Sequence, residues 1–202
     1  MDRPNLLILI GAIAVSGVAA HLPSAAEAQA RAVESRLAGT FSVSATTRPQ
    51  SQIETGGRDY DFLSEPQFQE KVRSGALLEY AQVFGKHWYG TPRQPVETQM
   101  AEGRLVILDI DVQGALQVRE SMPEALMVFV VPPDDDELLR RLRDRGREGE
   151  AAIQRRFAEA RKEIDIARTS GAFDATVVND DLEQAITETC RLVEQRLAGE
   201  RA

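Results

Sequence analysis

The chain has 202 residues, 43% of them apolar and 28% charged, enough for one sizeable domain with a small insert. A formal net charge of −8 argues against nonspecific nucleic-acid binding as the main task. A single cysteine, Cys190, and two histidines, His21 and His87, exclude an intrachain disulfide and a multi-cysteine zinc site, and leave little material for a His-rich centre.

Taken in order, Leu6–Ile10 is short and apolar, as a buried strand would be, and the run continues to Ala20 without charge. With Arg3 before it and Ala28-Gln29-Ala30 after it, the segment also has the layout of a signal peptide. Its length and its Gly and Ser content make it poor for a membrane span. An Ala-rich helix is expected from about Ser24 to Leu37. Phe41–Arg48 reads as one strand with a polar tip. Gln50–Gly57 is a polar loop, and Arg58–Leu63 a short strand. Ser64-Glu65-Pro66-Gln67 has the capping-box pattern, predicting a helix over 65–73 that Gly75 ends. Leu77–Phe84 is a strand, Trp88–Pro92 a turn-like run, and Pro92 opens a helix reaching about Glu102.

Leu105–Leu108 is an unbroken apolar run suited to a strand covered on both faces. Asp109 and Asp111 follow it. Residues two apart in a strand share a face, so both carboxylates are expected at the carboxyl end of the strand, where open α/β sheets bind ligands. Gly114 reads as a turn, with a short helix over 118–121. Leu126–Val131 is a second buried strand, stopped by Pro132-Pro133. Asp134–Asp136 cap a helix near 137–143, Arg140–Arg147 is a cationic run, and 151–168 has helical periodicity. Ala175–Val178 is a last strand before an amphipathic helix over 182–197, on which Cys190 reads as a core thiol. Strands alternating with helices predict an α/β fold with a mainly parallel sheet.

The motifs FSVSATTR (41–48), GRDYDF (57–62), LLEYA (77–81), YGTP (89–92), ILDIDVQG (107–114), RLRDRG (141–146) and VVNDDL (177–182) stand in the order seen in guanylate kinases, and residues 41–198 resemble that family. The resemblance implies a parallel-sheet core of the P-loop type, an inserted GMP-binding lobe over 41–98, and a core over 99–202 with a helical lid at about 140–156. It implies phosphoryl transfer from ATP, with Mg2+, to GMP, in the cytoplasm, with no nucleic acid, membrane or resident metal involved. Carried over by position, Ser44, Arg48, Tyr60 and Tyr89 would hold the GMP phosphate, which suits forked guanidinium and hydroxyl donors. Glu79 and Thr91 would read guanine, and Asp109 and Asp111 would position GMP and order metal-bound water. Arg145 and Arg156 would close over the transferring phosphoryl group. On the ATP side the resemblance points to Gly11 and Asn179.

The sequence departs from the family at its start. The phosphate loop G-x-x-x-x-G-K-[ST] is replaced by Gly11–Val18, and the first lysine of the chain is Lys71. Ser51 stands where the family usually has a second phosphate-holding arginine. Three readings stay open: a guanylate kinase with a divergent or frame-shifted residues 1–40 and impaired transfer; a catalytically inactive guanylate kinase-like module binding GMP or a phosphoprotein; and an exported chain. Oligomeric state is not specified.

Overall fold

The computed structural model describes residues 7–12, 25–83, 85–145 and 149–199. Its core is a five-stranded sheet in which every pairing is parallel. The strands are β1 (Leu7–Ala12), β2 (Thr40–Phe41), β7 (Val106–Ile110), β8 (Leu126–Val131) and β9 (Ala175–Val178), in the order β2-β7-β1-β8-β9. The remaining strands, β3 (Ala45–Thr46), β4 (Asp61–Phe62), β5 (Leu77–Val83) and β6 (His87–Pro92), form a second sheet in the order β4-β3-β6-β5. Seven helices connect them among the described residues: α1 (Ala25–Leu37), α2 (Glu65–Arg73), α3 (Arg93–Ala101), α4 (Val112–Ser121), α5 (Asp135–Arg145), α6 (Glu150–Ser170) and α7 (Leu182–Leu197).

The apolar runs follow from burial on both faces of the core sheet. Leu126, Val128 and Val130 of β8 pack with Ile107 against α1 and α7. Met127 packs on the opposite face with Val106, Leu108 and α4, and Phe129 and Val131 meet α5 and α6. Cys190 lies inside the first of these clusters, where burial raises its thiol pKa. A buried amide network ties α1 to α7 and to the end of β9. The Gln29 amide donates to Thr189 Oγ1 at 2.7 Å, and Asn179 Nδ2 donates to Gln29 Oε1 at 2.9 Å.

Helix ends match their local chemistry. Ser64 N–H and Oγ both donate to Gln67 Oε1 at the start of α2, and Gly75 leaves it with a φ of 68°. Asp134 Oδ1 accepts from Glu137 N–H at 2.8 Å at the start of α5.

Three expectations fail here. Phe41–Arg48 is not one strand. β2 pairs with β7 in the core sheet, whereas β3 pairs with β4 and β6 in the other, so the chain changes sheets between Phe41 and Ala45. Local β propensity carries no information about which partner a residue finds. Trp88–Pro92 is not a turn but most of β6, antiparallel to β5. The turn lies at Gly85, with a φ of 62°. Gly90 sits inside the strand because β5 comes too close for a side chain: a Cβ there would lie 2.8 Å from Glu79 O. Lastly, α4 begins at Val112 rather than 118, because Asp111 caps it: Asp111 Oδ1 accepts from Gly114 N–H at 2.8 Å. Gly114 is therefore a first-turn helical residue.

The segment with the signal-peptide layout divides. Leu7–Ala12 is the middle strand of the core sheet, and Gln29 and Ala30 are buried in α1. Residues 13–24, which hold most of the altered phosphate loop, lie outside the described residues.

Candidate functional site

A cleft lies between the carboxyl end of β7 and one face of the second sheet. Its lining includes Ser44, Tyr60, Glu79, Tyr89, Asp109 and Asp111. Each arrives from a different piece of local geometry. Strand alternation turns Glu79, Ala81 and Val83 of β5 to the cleft and leaves Tyr80 and Gln82 exposed on the other face. Tyr89 comes from β6, and Ser44 from the residue before β3. Asp109 is the last residue but one of β7, while Asp111 is the α4 cap just beyond it.

The lining side chains fall into two chemical groups. One group is Glu79 with Asp111, whose charge acts on it. Glu79 is 4% exposed, and its Oε1 accepts from Thr91 Oγ1 at 2.6 Å, Thr91 being fully buried. Burial pushes the Glu79 carboxyl up to about 7, against the Thr91 bond and with help from the Asp111 charge. Asp111 is also raised by burial, opposed by the backbone N–H groups of Gly114 and Gln113. A buried carboxylate with a neighbouring hydroxyl is built to meet N–H donors.

The other group carries hydroxyls, on Ser44, Tyr60 and Tyr89, with the Arg48 cation behind Tyr60. Tyr60 and Tyr89 meet edge-on with ring centroids 5.9 Å apart. Burial raises the Tyr60 phenol further from ionisation, so it stays a donor. The Arg48 guanidinium lies 5.3 Å from the Tyr60 ring centroid and 5.6 Å from that of Phe62. Arg48 does not line the cleft itself; it stands behind Tyr60. Its fork is taken by Glu54, at 2.5 Å and 3.0 Å, with a further contact to Tyr89. That pairing holds Glu54 down at about 2. Glu54 also accepts from Ser51 N–H at 2.8 Å, so one carboxylate closes the loop over 48–54. Glu54 carries no signal in the sequence, being an acid in a polar loop with no periodicity around it. The hydroxyls of Thr46 and Thr47 are used structurally, bonding the Trp88 carbonyl and N–H and so locking β3 to β6.

The lining thus brings buried carboxylates and hydroxyl donors into one cleft, with the Arg48 guanidinium behind Tyr60. The comparisons then decide the family: the family model described as guanylate kinase matches residues 4–196. The chain belongs to the guanylate kinase family. It is 50% identical over 146 residues to a guanylate kinase of Thermosynechococcus vestitus, covering 72% of this chain and 74% of that one. To a guanylate kinase of Gloeobacter violaceus it is 46% identical over 173 residues, covering 85% and 82%. The crystal structure of guanylate kinase from Anaplasma phagocytophilum superposes with a TM-score of 0.73 at 26% identity, covering 98% of this chain and 88% of that one. The α/β architecture with a parallel core sheet is that of the family.

Six family-derived positions are not among the cleft-lining residues: Arg48 and Thr91, which stand behind them, and four that lie farther along the chain's core and helices. Gly11 is in β1, in register with Ile110 and Phe129. Asn179 follows β9, 3% exposed, and its amide is engaged with Gln29. Arg156 is buried within α6 at 7% exposure. Arg145 ends α5, and nothing is described of its side chain. Among the described residues, no group of three or more His, Cys, Asp or Glu side chains converges as a metal cage, and no helix is long and apolar enough to cross a membrane.

Proposed function

We propose that the chain binds GMP in the cleft between the two sheets and transfers to it the terminal phosphoryl group of ATP, which enters as its magnesium complex. The observation that carries this reading is the polarity of the cleft. Glu79 with Thr91 offers acceptors to the ring N–H and exocyclic amine of guanine, a pairing adenine cannot make. Ser44, Tyr60 and Tyr89 offer donors to a phosphate, with the Arg48 charge behind them. Asp109 and Asp111 also line the cleft, where they would position GMP and order water on the incoming magnesium. Arg145 and Arg156 would come over the phosphoryl group as charge spreads on it. Gly11 and Asn179 would serve the ATP side, in a chain working in the cytoplasm.

Transfer is proposed to be slow. No lysine precedes Lys71, so the family's loop lysine has no counterpart. The same observation supports a second reading, an inactive module that binds GMP or a phosphorylated protein segment through the same donors. Calorimetry with GMP, then with ATP–magnesium, and a coupled assay of ADP release separate the two. Weak but GMP-dependent ADP release is expected; tight GMP binding with no ADP release selects the module, and absence of GMP binding removes both.

Arg48→Ala is expected to weaken GMP far more than guanosine, by about tenfold for the nucleotide, the scale of one charge-assisted hydrogen bond. Calorimetric titration of the two ligands checks it. Equal losses for both would make Arg48, clamped by Glu54, a structural residue only.

A further inference from the structure

β5 is the outer strand of the second sheet, and its free edge is closed by a side chain rather than by another strand. Gln117 of α4 reaches across to Tyr80. Its Oε1 accepts from Tyr80 N–H at 3.2 Å, and its Nε2 donates to Tyr80 O at 2.8 Å. One amide thereby copies the two-point pairing of a β-ladder. α4 is in turn anchored to the end of β7 by the Asp111 cap. The helix therefore joins the core sheet to the strand that carries Glu79.

One turn before Gln117, the same helix touches Glu79 directly. A Cβ on Gly114 would lie 2.5 Å from Glu79 Oε2 and 3.0 Å from its carboxyl carbon, far inside contact distance. Gly114 is not in a left-handed conformation. The space for a side chain at 114 is therefore occupied by the Glu79 carboxylate, which would have to move, and not denied by the backbone.

We infer that Gly114 and Gln117 are positioning residues that fix the Glu79 carboxylate and so set base specificity. The inference rests on the reading of Glu79 as the guanine reader given under Proposed function. Gln117 holds α4 at a set distance from β5, and the bare Cα of Gly114 lets the carboxylate occupy the wedge between helix and strand. Any side chain at 114 pushes the carboxylate out of that wedge, away from Thr91 on the β6 side.

The physics makes Gly114→Ala a discriminating test, because its two effects have opposite signs. Alanine favours the helix over glycine, so thermal stability should hold or rise. A carboxylate displaced by an ångström should cost recognition, on the scale of about tenfold to a hundredfold. GMP and AMP dissociation constants are measured by calorimetry for wild type, Gly114→Ala and Gln117→Ala. In parallel the Glu79 carboxyl is titrated by NMR in protein labelled at glutamate carboxyl carbons, with Asp111, the charged group facing it, titrated separately. Gly114→Ala is expected to bind GMP at least about tenfold more weakly with AMP binding unchanged, and to shift the Glu79 midpoint down as the carboxyl loses its buried seat. Gln117→Ala should move both readouts the same way by about threefold in affinity.

A wild-type GMP/AMP ratio together with a wild-type Glu79 midpoint in Gly114→Ala overturns the inference. So does an equal loss of both nucleotides with a lowered Tm, which would mean general disruption. If the Glu79 midpoint shifts but wild-type protein shows no preference for GMP over AMP, the positioning role stands and the guanine reading falls.

Discussion

Glu79→Gln is expected to melt higher than the wild type at pH 8 and yet bind GMP about 10- to 100-fold more weakly. The two halves have one cause. The Glu79 carboxyl titrates at about 7 in the folded protein against 4.5 in a free chain, chiefly because it is buried. Between those values the folded state keeps a proton that the unfolded state releases. Stability is therefore lost as pH rises from 4.5 through 7, and the loss is complete above about 7. The difference corresponds to roughly 3 kcal/mol as an upper bound, since each unit is about 1.4 kcal/mol. A neutral amide removes that penalty, and a gain of about 1–2 kcal/mol should raise Tm by several degrees at pH 8. At pH 4.5 wild type and variant should melt together. Recognition moves the opposite way, because the amide replaces one acceptor with a donor facing guanine's own donors. Hydrogen bonds to a charged group are worth about 1.5–3 kcal/mol, which sets the expected loss. For the same reason wild-type GMP affinity should fall on acidification below about pH 7. Calorimetry and thermal melts across pH check both halves; a Tm gain with undiminished GMP preference over AMP would show that Glu79 does not read the base.

The second large effect concerns transfer. Phosphoryl transfer depends on positioning and charge neutralisation, and a single cation at the transition state is worth about a thousandfold or more. Rebuilding the segment between β1 and α1 as Gly-x-x-x-x-Gly-Lys-Ser should raise kcat by about a thousandfold, or roughly 4 kcal/mol of transition-state stabilisation. GMP affinity should change by less than about twofold, because the cleft is built from residues 44–111. Steady-state kinetics by coupled ADP release provides the number. A wild-type kcat already equal to that of the rebuilt chain would mean that the altered loop does not slow the reaction.

What was legible in the sequence was what local physics controls. The apolar runs 105–108 and 126–131 announce strands covered on both faces, and that is where β7 and β8 lie. The capping box at Ser64 and the periodicity of 151–168 give α2 and α6. Pairing was illegible. Nothing in FSVSATTR says that Phe41 joins one sheet and Ala45 another. Within Trp88–Pro92, Gly90 reads as a turn residue but is there because β5 excludes a side chain, a reason that exists only after folding. Within the candidate site, motif order points to the cleft-lining side chains but not to their supports. Glu54 on Arg48, Gln117 on Tyr80 and Gly114 against Glu79 are contacts between segments 6 to 37 residues apart, with no periodic signal. Asn179 shows the same limit: its amide is bonded to Gln29 of α1, 150 residues away.

The central claim is that the cleft between the two sheets is a seat for guanosine monophosphate. A crystal structure of the chain grown with GMP tests it most directly. The account predicts the guanine edge on the Glu79 carboxylate and Thr91 hydroxyl, with the phosphate on Ser44, Tyr60 and Tyr89 and within reach of Arg48. A nucleotide bound elsewhere, or bound here with its phosphate toward Glu79 and its base toward Tyr60, would contradict it.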